Sequence, residues 1–145
     1  MLINYPNPIL FQKCLPIRDP QSPEIRELIL ELLSEMKRSN GLGIAAPQIG
    51  KTLRLCIVKL DGKTYILLNP KITRKSWGKE IGEEGCLSFP GTFVLVKRHK
   101  KVSVEAINEK GQKIKIKADG LLARAFQHEI DHLDGITIEQ RKIKG

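Results

Sequence analysis

Apolar residues recur along this chain with two distinct periods. Ile25, Leu28, Ile29, Leu32, Leu33 and Met36 fall three or four apart with polar residues between them, the stripe of an amphipathic helix with one face in a core. Ser22-Pro23-Glu24 supplies a cap, a first-turn proline and a first-turn acid, and Asn40-Gly41 ends the helix. Beyond residue 50 the period shortens to that of strands. Residues 53–59 read as a buried strand and 65–69 as its hairpin partner across Asp61-Gly62. Residues 93–96 and 102–107 are further strand candidates, and the basic run Lys97-Arg98-His99-Lys100-Lys101 between them reads as a solvated turn. After a turn at 108–111, Lys113-Ile114-Lys115-Ile116-Lys117 alternates as a half-buried strand does. Three stretches are predicted irregular: 1–20, rich in proline and turn formers and wrapping over the domain; 41–50, a small-residue loop; and 73–82, a polar excursion. Asp119 looks like the N-cap of a last helix that Gly135 stops.

The pattern contains no repeat and no linker, and 145 residues give one real core but not two comfortable ones. A single domain over 1–145 is therefore expected. No apolar run approaches the roughly 20 residues of a membrane span, and Asn4, Tyr5, Pro6 and Asn7 interrupt any signal-peptide core. Cys14, Cys56 and Cys86 are odd in number and widely spaced, which argues against a disulfide framework and for a reducing cytoplasm. The net charge of +9 favours polyanionic surroundings such as ribosomal RNA, and serves plain solubility equally well. Phe93, the one aromatic close to the basic run, is expected to face the core, and nothing points to specific DNA binding.

Catalytic chemistry concentrates in the last helix, at Gln127-His128-Glu129-Ile130-Asp131-His132. Residues four apart share a helix face, so His128 and His132 can aim at one metal ion, with Glu129 placed to reach a water on that metal. The chain has only 3 histidines, which makes this spacing unlike chance. The third ligand follows neither familiar plan. A thermolysin-like Glu downstream would have to be Glu139, only a few residues on, and the metzincin histidine position holds Ile138. Of the soft ligands left, Cys14 gives no signal, Cys56 reads as a buried small hydrophobe and His99 as an exposed bystander. Only Cys86, within Glu83-Glu84-Gly85-Cys86-Leu87-Ser88-Phe89-Pro90, sits in a setting that looks built for a site. Trp77 could pack under the 73–82 excursion or shield a cleft.

Three segments, Gly41-Leu42-Gly43-Ile44-Ala45-Ala46-Pro47-Gln48, Glu84-Gly85-Cys86-Leu87-Ser88 and His128-Glu129-Ile130-Asp131-His132, together resemble the three motifs of the peptide deformylases in order and separation. The resemblance implies an α+β fold in which antiparallel sheets pack around a central metal-binding helix, with an N-terminal helix besides. It implies hydrolysis of the N-formyl group from formyl-methionyl nascent chains, releasing formate. Cys86, His128 and His132 would hold one divalent ion, Fe(II) physiologically, with Zn(II), Ni(II) or Co(II) as other occupants. A metal-bound water would be the nucleophile and Glu129 the general base and acid. The Gln48 side chain and the Leu87 N–H would hold the oxyanion. Leu42 and Gly43 would shape the space over the metal, and Leu121 and Ala125 an apolar pocket for methionine. Arg124 would pack its stem there while its charge reaches water. Glu84 would support the ligands, with Arg98 as its partner.

Two departures bear on partners. Gly91-Thr92-Phe93-Val94 follows the second motif where many relatives carry a Gly or an Arg, leaving preference beyond formyl-Met open. Many bacterial members continue into a C-terminal helix implicated in ribosome docking, whereas here a short basic tail, Arg141-Lys142-Ile143-Lys144-Gly145, follows. Contact with the ribosome surface by that route is not expected. Two other readings stand beside this one: a metallopeptidase acting on ordinary peptide bonds, and a basic RNA- or ribosome-binding module with a structural metal.

Overall fold

The computed structural model describes residues 1–144; Gly145, the end of the basic tail, lies outside the described residues. The chain runs α1 (Pro23–Ser39), β1 (Gly43–Ala45), β2 (Leu55–Leu60), β3 (Lys63–Lys75), β4 (Lys79–Cys86), β5 (Phe89–His99), β6 (Lys101–Ile107), β7 (Lys113–Asp119), α2 (Gly120–Leu133) and α3 (Ile138–Arg141). Five strands form one antiparallel sheet in the order β1-β2-β3-β6-β7, and β4 pairs with β5 in a separate hairpin. The α+β class expected from the sequence is what the chain adopts.

Helix α1 starts where Ser22 accepts the Ile25 N–H at 3.3 Å and stops at Asn40, whose φ of 52° is left-handed. Its apolar stripe packs on one face of the sheet, against Leu55, Ile57 and Leu68. Strand alternation sends Cys56, Val58, Leu67 and Val104 to the other face, where Ala123, Phe126, Ile130 and Leu133 of α2 cover them. On its other side α2 is tied to β5. Arg124 donates to the Val96 carbonyl at 3.0 Å, and the Gln127 carboxamide pairs with both backbone groups of His99, at 3.0 and 2.9 Å. Helix α2 is thus held between two antiparallel sheets. Among the described residues no helix is long and apolar enough to cross a membrane.

The β2–β3 hairpin turns at Asp61-Gly62, with φ of 52° and 76°, as its sequence predicts. Residues 1–20 do wrap across the site, Ile3 N–H reaching the Gln48 carbonyl at 2.7 Å and Tyr5 N–H the Ser88 carbonyl at 2.9 Å. Four expectations need correction. Residues 73–82 are not an excursion: β3 continues to Lys75, with Arg74 opposite Ser103 and Lys75 opposite Val102, and β4 begins at Lys79. Strands with a wetted face tolerate charges, so polarity hid the pairing. Residues 41–50 contain an edge strand, Ile44 opposite Ile57, and a 3-10 turn at Ala46–Ile49 rather than a plain loop. The basic run is not a turn either, since Lys97, Arg98 and His99 end β5, Lys101 opens β6 and the turn narrows to Lys100. Phe93 does not face the core. Its ring lies over Gly85 at the edge of a cleft, 66% exposed.

Candidate metal and catalytic site

On α2 the i, i+4 spacing stacks the His128 and His132 rings with centroids 5.2 Å apart, both side chains buried. Gly135 follows the helix with φ of 75°, and a Cβ there would lie 2.5 Å from the Phe11 carbonyl oxygen, so this stop requires glycine. Asp119 stands at the N-cap position as expected, but its side chain makes no capping hydrogen bond. Cys86 closes β4, where the register slips: Gly85 opposes Phe93 but Cys86 opposes Phe89. That irregularity re-aims the chain. The Cys86 Sγ lies 3.3 Å from His132 Nε2, and the ligand atoms of Cys86, His128 and His132 all fall within 4.8 Å of one another. Glu129 Oε2 is 4.0 Å from His128 Nε2, and its buried Oε1 has no hydrogen-bond partner.

The donor set suits a metal ion. One sulfur and two imidazoles are soft to intermediate ligands, and among the described residues no fourth His, Cys, Asp or Glu joins them. The electrostatics agree. Burial opposes a charge on His128, yet the Cys86 sulfur and the Glu129 and Glu84 carboxylates outweigh it and push the ring up to about 10. Burial, with the charges of His128 and Arg98, pushes His132 well below its ordinary value. Both rings lie close to the Cys86 sulfur, where a metal ion would have to displace any proton on His128. Burial also pushes the Glu129 carboxyl up to about 7, against the pull of His128.

Behind the rings lies a buried charge network. His128 Nδ1 sits 3.0 Å from Glu84 Oε1, which leaves Nε2 for the cluster. Arg98 clasps both Glu84 oxygens at 2.9 Å and donates to Asp131 at 2.5 Å. Arg124 donates to Glu84 at 2.6 Å, and Arg141 of α3 grips Asp131 with two bonds of 3.0 Å. Burial alone would raise the Glu84 carboxyl, but its bonds to Arg98 and His128 outweigh this and hold it well below the usual carboxylate range. The Glu84–Arg98 partnership is the one the sequence suggests. Arg124 departs from expectation: its charge is buried and spent on Glu84 and on the Val96 and Glu80 carbonyls. His99 is half-buried rather than a bystander, its Nδ1 2.8 Å from the Ser76 carbonyl oxygen. Sequence reasoning misses Asp131 and Arg141, although Asp131, three residues after His128, lies on the flank of the ligand face.

A cleft of about 410 Å³ opens over the cluster, with Leu42, Gly43, Gln48, Leu87, Leu121 and Ala125 in its wall. Gln48 is buried and fixed at both ends. Its Oε1 accepts the Ala45 N–H at 2.9 Å, while Nε2 donates to Ser88 Oγ at 3.1 Å and lies 3.7 Å from the Cys86 sulfur. The structure therefore brings the residues singled out in the sequence to one place. Cys14 and Cys56 stay apart from it, their thiols pushed up by burial, Cys14 to about 11.

A family model described as polypeptide deformylase matches residues 1–144. The peptide deformylase of Desulforudis audaxviator (strain MP104C) is 43% identical over 141 residues, which span 97% of this chain and 91% of that protein. Among solved structures, peptide deformylase from Thermotoga maritima aligns with a TM-score of 0.96 and 31% identity, over 99% of this chain and 97% of its own. The Synechococcus elongatus peptide deformylase, solved in complex with actinonin, aligns with a TM-score of 0.95 and 36% identity, over 99% of this chain and 79% of its own. Likeness of sequence and of fold, extending over nearly the whole chain, leads to one conclusion: it belongs to the polypeptide deformylase family of enzymes.

Proposed function

We propose that this chain, as one catalytic domain, hydrolyses the N-formyl group of formyl-methionyl nascent peptides in the cytoplasm, releasing formate and a free α-amine. The observation that carries the reading is the convergence of Cys86, His128 and His132 beside a buried, half-unpartnered Glu129 carboxylate, inside a cleft. Cys86, His128 and His132 hold one divalent ion, Fe(II) in the cell, with Zn(II), Ni(II) and Co(II) as alternatives. Such an ion supplies Lewis acidity and brings the pKa of water towards ~7.

The chain's own residues do the rest. Glu129, buried and with one carboxylate oxygen unpartnered, takes the proton of the attacking water and returns it to the leaving amine. Gln48 cannot swing away, because Ala45 and Ser88 hold it, so its Nε2–H is a fixed donor for negative charge developing on the formyl oxygen. The Leu87 N–H, next to Cys86, is the second donor. Gly43 carries no side chain, and this leaves Glu129 its place in the wall of the cleft, where a methyl would press on the carboxylate. Leu42, Leu121 and Ala125 give the methionine side chain apolar surface. The test is formate release from formyl-Met-Ala-Ser by protein loaded anaerobically with Fe(II), beside an unformylated control and Glu129→Ala. Retained metal with abolished turnover in the variant supports the roles; turnover at the parent's rate removes Glu129 from them, and cleavage of the unformylated peptide points to a peptidase.

A further inference from the structure

Away from the cleft, the turn between β3 and β4 lifts Trp77 fully into solvent, at 101% exposure. Tryptophan rarely stands so free, and this one is not on a loose loop. Ser76 N–H bonds the Lys101 carbonyl at 2.9 Å, Lys101 N–H bonds Ser76 Oγ at 3.1 Å, and Lys100 N–H bonds the Gly78 carbonyl at 3.0 Å. Ser76 Oγ also donates to the Gly78 carbonyl at 2.8 Å. Two turns are thereby locked side by side, with the indole exposed on one of them.

Two grooves lined by cations adjoin this turn and meet at Lys75. A groove of about 510 Å³ is lined by Arg74, Lys75, Lys101 and Lys117, with Asp119 its one acid. A second, of about 370 Å³, carries Lys71, Lys75, Lys79 and Lys97. Its acids are already engaged, Asp131 by Arg98 and Arg141, and Asp134 by Arg54. None of the cations named for the first groove, nor the four lysines of the second, has an ion-pair partner among the described residues. Unpaired like charges on one face cost self-repulsion, which a polyanion relieves.

We propose that this face binds single-stranded RNA, with a base stacked on Trp77 and the flanking phosphates on the lysines of the two grooves. A preorganised aromatic among basic grooves is the arrangement that holds unpaired strands without reading sequence. An anionic membrane is the lesser fit, because Trp77 is the only apolar side chain on the turn and one ring buries too little to anchor a protein. The choice of RNA among polyanions rests on the proposed substrate being a product of translation; the binding face itself does not.

Trp77 is the only tryptophan, so its emission reports this turn alone. Metal-loaded protein is titrated with an oligouridylate at two salt concentrations, and separately with phosphatidylcholine–phosphatidylglycerol vesicles, following Trp77 fluorescence and, for the variants, the anisotropy of labelled RNA. Saturable quenching is expected with Kd in the ~1–100 µM range, weakening as salt rises. Trp77→Ala should weaken binding roughly tenfold, and Lys75→Glu with Lys101→Glu should flatten the salt dependence. Formate release by each variant, measured alongside, separates a failure of this proposal from a failure of the catalytic one. RNA binding that leaves the emission unchanged or survives both substitutions, a response to vesicles alone, or no binding at all would overturn it.

Discussion

A methyl group added at Gly43 is the most informative small perturbation of the site. Gly43 has no left-handed φ, so alanine is allowed by the backbone and its effect is purely steric. An ideal Cβ there lies 2.6 Å from Glu129 Oε2, 3.0 Å from Cδ and 3.1 Å from Cγ. Ordinary contact begins at 3.4 Å, so something must move by about 0.8 Å. Glu129 is buried and β1 is hydrogen-bonded to β2, so neither gives freely. A misplacement of ~1 Å in a reacting group costs ~10²-fold in rate, equivalent to ~2.7 kcal/mol. Overpacking adds a stability loss of ~1–3 kcal/mol, seen as ~2–4 °C in Tm per kcal/mol at this chain length. Gly43→Ala should therefore lose about 10²-fold in kcat for formate release while still binding one metal ion, since the atoms nearest the added methyl belong to Glu129 and not to Cys86, His128 or His132. Gly41→Ala is the control: its Cβ would meet Leu87 Cδ1 at 2.7 Å, the end of a half-buried side chain that can turn away, so its loss should stay below about tenfold. Parent-like turnover by Gly43→Ala, or an equal loss in Gly41→Ala, would refute the reasoning.

Glu84→Gln removes the anion that Arg98, Arg124 and His128 share; it should weaken metal affinity ~10–100-fold against a competing chelator and cost ~3–5 kcal/mol in denaturant unfolding. Unchanged affinity would show that the network does not tune the ligands. Gln48→Ala should lower kcat ~10²–10³-fold and destabilise by ~1–3 kcal/mol, because the buried Ala45 N–H loses its acceptor; a pure KM effect would contradict the oxyanion role. Chelator-stripped protein should react with a disulfide reagent at Cys86 only, because Cys14 and Cys56 are buried with raised thiol pKa values, and adding metal should suppress that reaction. Rapid modification of Cys14 or Cys56 would contradict their assigned environments.

Much of this architecture is visible in the residues because local rules agree with the fold. Helix α1 has its cap, proline and stripe, and Lys113–Asp119 alternates against a single apolar face. The candidate ligand cluster is legible for the same reason, spacing on one helix plus a cysteine in a motif. What stayed hidden depends on partners far away in sequence. Arg74 and Lys75 look like loop residues until Ser103 and Val102 lie beside them. Arg98 sits in a run of cations, and only the β4–β5 register turns it inward to Glu84 and Asp131 while Lys97 stays wet. The burial of Arg124 is not legible in the sequence, because a long cation at a cleft is ordinarily solvated and the buried acid that holds it is 40 residues away. Hydrophobicity alone misplaces Phe93, which borders the cleft instead of the core.

The central claim is that Cys86 joins His128 and His132 around one ion. Cobalt(II) substitution tests it most directly, because a thiolate ligand adds a charge-transfer absorption that imidazoles alone do not give. The account predicts one Co(II) per chain with that absorption, and its loss together with much weaker binding in Cys86→Ala. An unchanged spectrum and stoichiometry in Cys86→Ala would contradict it.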